Sequence, residues 1–339
     1  MLIRYAQLND KTEWFRLDRH LPEAEFENKI RNKQGYVLTE DDKVIGVLRY
    51  NLFWDNTPFC TMLFIDSDHR KKGYGKLKRI GMNYFVEGLQ GSGKSTLVRK
   101  MCDKHPECKV FREGDYSPVE LAWCAYTTRD AYLAILDKYA EIKKDIIAKS
   151  YEEDGHMIIC YTQIITDIPG FHKDLEQYEI YNARVSRQSF KNIILTRLAN
   201  WNTDGNIFEC SLFQNIVEDM ILFQNASDAE IIAFYREIKN VLDRRDYHIA
   251  YLLSEDIRSN IDVIRKERSD DQGRELWFPL MLGYFNGSPY AVQNGLAGEE
   301  DMLKHFFHRQ ELELAICREV FPGKYTLLRS KGYKETDIQ

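Results

Sequence analysis

The run Gly88-Leu-Gln-Gly91-Ser92-Gly93-Lys94-Ser95 meets G-x-x-x-x-G-K-[ST] at every fixed position, and Thr96 follows it. Few short runs restrict a fold as tightly. The glycines let the backbone wrap until its N–H groups converge on one anionic centre. The wrap works where a strand runs into a helix. The first helical turn then adds unpaired N–H groups and the positive end of its dipole. The flanks agree, because Asn83–Val86 reads as a short buried strand and Ser95–Lys104 as an amphipathic helix.

Beyond Met82, strand-like runs recur at Lys109–Arg112, Met157–Tyr161, Asn206–Cys210, Tyr247–Leu253 and Tyr325–Arg329. Helical patterns at Val119–Lys149, Ser186–Trp201, Val217–Phe223, Asp228–Asp243 and Glu255–Lys266 separate most of them. This alternation predicts a parallel α/β sheet. Asp167–Tyr181 is less regular and reads as an inserted substrate loop. The first 81 residues follow another pattern. A strand at Leu2–Tyr5 and helices at Lys11–His20 and Glu23–Arg31 precede three closely spaced strands, Gly35–Thr39, Lys43–Phe53 and Phe59–Ile65. That is an antiparallel meander, turning at Asp41–Asp42 and ending in the basic loop Asp68–Lys76. Two domains are expected, 1–81 and 82–339, with no Pro/Ser/Gly linker between them.

Composition narrows the partners. With 44% hydrophobic residues the chain can fill a core, and a net charge of -6 argues against general nucleic-acid binding. No apolar run approaches the ~20 residues that span a bilayer, and Met1–Trp14 has no apolar signal-peptide core. Seven cysteines form no CxxC pair and no metal-ligand spacing, which suits a reducing compartment, the cytoplasm. His156, His172, His248, His305 and His308 read as structural. A small-molecule acceptor is the expected partner, with no nucleic acid and no membrane. Oligomeric state leaves no trace in the sequence.

In the Gly88–Thr96 loop, the backbone at Gly88, Gly91, Ser92 and Gly93 would cradle phosphates. Lys94 would reach the β- and γ-phosphates, the Ser95 hydroxyl would ligate Mg²⁺, and Thr96 would touch the α-phosphate. From Met82 to about Ser330 the chain resembles the P-loop kinases that act on nucleosides, nucleotides and other small molecules. The resemblance implies a three-layer parallel sheet of the P-loop NTPase type, with ATP and Mg²⁺ as cofactors. It also implies an acidic residue after the second strand that meets the acceptor, for which Asp115 is the first candidate and Glu113 the second. Glu209, at the end of the Asn206–Cys210 run, would support the metal or the acceptor, although a full Walker B run is absent. Arg265 and Arg268, with Arg258 behind them, would close over the transferring phosphate as a lid. The other reading of that basic run is a solvated face of ion pairs.

The N-terminal part, through Arg70-Lys-Lys-Gly73-Tyr-Gly75-Lys76, resembles the first half of a GNAT N-acetyltransferase. It matches that family's R-x-x-G-x-G loop, which implies a partial α+β domain with Arg70, Gly73 and Gly75 at the pyrophosphate of acetyl-CoA. The strands that complete such a domain do not follow, so the module reads as truncated. The leading expectation is an ATP- and Mg-dependent phosphotransferase acting on a small-molecule hydroxyl. A nucleotide-hydrolysing switch and a CoA-dependent acetyltransferase remain open beside it.

Overall fold

The computed structural model describes residues 2–41, 43–52, 58–70 and 82–333. It divides into two compact units, Met1–Arg79 and Ile80–Gln339. Among the described residues no helix is long and apolar enough to cross a membrane.

In the N-terminal unit, β1 (Leu2–Tyr5), β2 (Gly35–Glu40), β3 (Lys43–Leu52) and β4 (Pro58–Ile65) form an antiparallel sheet in that order. Asp41 makes the β2–β3 turn at φ +49°, a left-handed conformation that aspartate tolerates. Helices α1 (Lys11–Leu17) and α2 (Glu23–Arg31) contribute Trp14 and Phe26 to a core shared with Val37 and Val47. Asp18 is fully buried and is paired, accepting from Arg49 Nε at 2.7 Å.

The second unit is built on a five-stranded parallel sheet. Its strands are β5 (Asn83–Gly88), β6 (Lys109–Phe111), β10 (Asn206–Glu209), β11 (Tyr247–Leu253) and β12 (Tyr325–Arg329), in the spatial order β12-β11-β5-β10-β6. Every residue of β5 is buried, as a central parallel strand requires. Side chains alternate across it. Tyr84 and Val86 face a core shared with Leu97, Val98 and Met101 of α3 (Lys94–Lys104), whereas Phe85 faces the larger core. Phe85, Phe208 and Phe111 stack across three neighbouring strands with ring centroids 5.0 and 5.2 Å apart.

A second, antiparallel sheet of β7 (Ala125–Thr128), β8 (Ser150–Glu153) and β9 (His156–Ile159) lies between β6 and β10 in the chain, with spatial order β7-β9-β8. Two expectations are corrected here. The Met157–Tyr161 run is an antiparallel strand, not a member of the parallel sheet. Val119–Lys149 is not one helix: it holds β7, then α4 (Arg129–Lys138) and α5 (Lys143–Ala148). The break is local, because Trp123 sits at φ +62° and the Thr128 hydroxyl caps α4 by accepting from Ala131 N at 3.2 Å. The Asp167–Tyr181 region contains α6 (Phe171–Glu176), whose Phe171 and Leu175 are fully buried.

The remaining helices are α7 (Arg187–Asn200), α8 (Gln214–Leu222), α9 (Asp228–Leu242), α10 (Ile257–Glu267), α11 (Trp277–Asn286), α12 (Pro289–Asn294) and α13 (Gly298–Glu319). Ser227 and Glu230 close α9 with a reciprocal capping box.

Candidate functional site

The loop between β5 and α3 is held by glycines at positive φ, where other side chains are strained. Gly88 has φ +137°, and a Cβ there would lie 2.6 Å from the Leu252 carbonyl on β11. Gly93 caps α3 at φ +94° with open space where a Cβ would stand. Lys94 is buried, and its Nζ donates to the carbonyls of Gly88 (2.8 Å) and Leu89 (2.7 Å). Ser92 is fully buried and its hydroxyl has no hydrogen-bond partner.

The Ser95 hydroxyl donates to Glu209 Oε1 at the end of β10, and Glu209 Oε2 accepts from Arg112 at 3.3 Å. The sheet order places these groups together, because β10 is the neighbour of β5. At the end of β5, the buried Glu87 carboxylate accepts from Leu212 N (2.7 Å), Phe213 N (3.2 Å) and Gln214 N (3.4 Å), at the start of α8. Burial pushes its pKa up to about 8, and nearby Glu313 adds to the rise. The Leu212 and Phe213 amides act against it.

Against the loop lies a cavity of about 730 Å³, lined by residues 90–96 on one side and by Glu113, Trp123, Gln214 and Glu218 among others. Glu113 Oε1 accepts from Trp123 Nε1 (2.9 Å) and Gln214 Nε2 (3.3 Å). Asp115, the first candidate for the acceptor site, does not line the cavity. Its carboxylate accepts from Arg112 N and Gln163 Nε2, both at 2.8 Å, and so closes its own turn. Local capping competes for short carboxylates, whereas the longer Glu113 reaches the cavity.

The two candidate lid arginines also separate. Arg268 lines the cavity beside the Trp277 ring, 5.6 Å from its centroid. Arg265 does not. Its guanidinium donates to Glu275 (2.8 Å) and Glu299 (3.3 Å) and covers the Phe278 ring at 4.0 Å. Arg258 pairs with Glu300 at 2.7 Å. Thus the ion-paired face describes Arg258 and Arg265, and of the three only Arg268 lines the cavity.

Sequence reasoning missed the buried charged cluster through which α13 backs α8. Arg309 is fully buried and bridges three elements, donating to Glu218 Oε2 at 2.5 Å and to Gln90 Oε1 of the loop at 2.7 Å. His305 lies 3.1 Å from Glu218 Oε2, and Glu313 Oε1 lies 3.1 Å from Arg309 Nε. Burial acts to raise the Glu218 pKa, but Arg309 and His305 outweigh it and hold the group at about 2. The Glu218–His305 pairing is visible only in three dimensions, since 87 residues separate the two.

Away from the cavity, His105, Glu107 and Cys108 bring candidate ligand atoms within 4.8 Å of one another at the end of α3. This corrects the expectation that no cysteine has metal-ligand spacing. In the N-terminal unit, Arg70 Nε donates to the Ile65 carbonyl at 2.8 Å and the guanidinium covers Phe64 at 4.8 Å. Gly73 and Gly75 lie outside the described residues.

The sequence model of the acetyltransferase (GNAT) family matches residues 4–77, about a fifth of the chain. The N-terminal unit is therefore GNAT-like. No curated protein matches the chain.

Proposed function

We propose that residues 82–339 form a P-loop phosphotransferase that moves the γ-phosphoryl of ATP to a hydroxyl of a small acceptor. The reading rests chiefly on one contact, the Ser95 hydroxyl on the Glu209 carboxylate, beside Lys94 and at the foot of the cavity. The parallel order β12-β11-β5-β10-β6 supports a P-loop NTPase fold, because the loop leaves the central strand where β10 and β11 flank it.

A hydroxyl and a carboxylate are the hard oxygen donors that suit Mg²⁺, so Ser95 and Glu209 would hold it. When bound, it would neutralise charge on the phosphate oxygens. Lys94 can exchange its two loop carbonyls for phosphate oxygens. Glu113 faces the cavity and would orient the acceptor hydroxyl and take its proton. The acceptor oxygen forms the new O–P bond while the bond from the γ-phosphorus to the bridging oxygen breaks, and ADP leaves with that electron pair. Arg268 would cover the transfer from the α10 side. Positioning and charge supply most of the rate in such a scheme.

Replacing Lys94 by Ala should abolish ATP-dependent modification of any acceptor, and unchanged activity would sink the reading. A high ATPase rate without acceptor would assign the unit to a nucleotide-hydrolysing switch instead.

Acetyl transfer from acetyl-CoA is the second reading, favoured by the family match at residues 4–77. The comparisons lend this reading support that they do not lend to the phosphotransferase. Arg70, Gly73 and Gly75 would take the CoA pyrophosphate, and acetyl-CoA turnover that survives Lys94→Ala would assign the activity to this unit. A cytoplasmic site of action fits both readings, since both draw on cytoplasmic cofactors.

A further inference from the structure

The cavity lining is acidic. Glu113, Glu179, Glu209, Glu218 and Glu267 line it, whereas its lining cations are Lys94 of the loop, Arg268 and Lys331. Two wall residues carry an oxygen that accepts no hydrogen bond, Gln214 Oε1 and Glu218 Oε1. Both residues are 6% exposed, so neither oxygen is satisfied by bulk solvent. They stand four residues apart on α8 and therefore share one helix face.

Their other atoms are committed. Gln214 Nε2 donates to Glu113, and Glu218 Oε2 takes both Arg309 and His305. The amide of Gln214 cannot be reversed without setting its oxygen against the Glu113 carboxylate. Buried acceptor atoms left without donors are costly, and a ligand that brings donors removes that cost. The terminal torsions of Glu and Gln are soft, so a small turn presents either oxygen to the cavity. Trp123, Trp277 and Tyr284 give the cavity apolar surface.

We infer that the acceptor is a hydroxylated amine without phosphate, which donates N–H to Glu218 and Gln214. This rests on the phosphotransferase reading of the same cavity. A phosphate-bearing acceptor would set its charge against Glu113, which no cation among the described residues pairs, whereas Glu179 and Glu218 already hold Arg184 and Arg309. An ammonium meets Glu218, and it meets Glu113, whose partners are the neutral donors of Trp123 and Gln214.

The test measures binding by calorimetry in the full chain with a non-hydrolysable ATP analogue and Mg²⁺ present. The probes are kanamycin, glucosamine and ethanolamine, their N-acetylated forms, adenosine and AMP. ATP-analogue binding is measured separately, in the wild type and in Lys94→Ala, and its absence in the wild type would defeat the phosphotransferase reading itself. With analogue binding intact, at least one amine should bind, and its N-acetylation should weaken binding at least tenfold. Glu218→Gln should weaken the amine at least tenfold more than it weakens the analogue, since Glu218 also holds the Arg309 that reaches Gln90 of the loop. Gln214→Leu keeps the Arg309 pairing and should weaken the amine several-fold, so the inference stays testable if Glu218→Gln does not fold. Tighter binding of adenosine or AMP, indifference to N-acetylation, or no binding of the three amines would overturn the inference.

Discussion

Glu87 offers a direct test of how burial and hydrogen bonding compete at the root of the loop. Its carboxylate is fully buried yet accepts from three backbone amides at the start of α8. Burial wins, and the group titrates near 8 rather than 4.5. The folded state therefore holds the proton more tightly than the unfolded state. Its stabilising contribution is complete below about pH 4.5 and is lost as pH rises through about 8. The full shift corresponds to a loss on the order of 5 kcal/mol, of which about 3 to 4 falls between pH 5 and pH 8. Glu87→Gln keeps the neutral shape and removes the titration.

The assay is urea unfolding followed by far-ultraviolet circular dichroism, for both proteins, at pH 5, 6, 7 and 8. The variant should gain on the wild type steadily, and the gap in urea midpoint should widen by about 1 M or more over the series. Glu120, pushed up to about 7 by burial, gives both proteins a slope of the same sign and cancels in the difference. A gap that stays constant with pH would refute the reasoning. It would mean that the three amides hold Glu87 ionised despite its burial.

Gly88→Ala should cost about 3 kcal/mol or more, from strain at positive φ and from the close approach to the Leu252 carbonyl, and thermal unfolding monitors the loss. The same variant should lose ATP-analogue binding. Arg268→Ala should lower kcat for phosphoryl transfer at least tenfold while leaving the melting temperature within a few degrees. Arg265→Ala should do the reverse, with kcat held and stability reduced by about 1 kcal/mol, since its partners are carboxylates and the Phe278 ring.

Much of the fold could be read along the chain because its signals are local. The strands Leu2–Tyr5, Tyr247–Leu253 and Tyr325–Arg329 carry their own alternation or apolar run, and the structure places strands at those residues. The helix Glu23–Arg31 is likewise amphipathic by itself. What escaped depended on distant partners. The 22-residue α13 turns His305, Arg309 and Glu313 inward, so its buried face reads as charged and hides the apolar stripe. Those charges make sense only against Glu218 and Tyr251, which lie on other elements. The sequence ranks Asp115 ahead of Glu113, and the structure turns Glu113 rather than Asp115 to the cavity. Which of them faces the cavity is set by Gln163, 48 residues from Asp115, and by the Trp123 indole.

The strand order also has a consequence for synthesis. Strand β10 lies between β5 and β6, so the first two strands of the parallel sheet to leave the ribosome cannot pair with each other. Residues Asn83–Gly88, all destined for burial, must wait for Asn206–Glu209 and then Tyr247–Leu253 before both edges are covered. Closing loops of that length before any pairing is gained makes folding slow and leaves an aggregation-prone strand exposed. Refolding of this unit by stopped-flow should accordingly take milliseconds to seconds or longer, and its yield should fall as protein concentration rises.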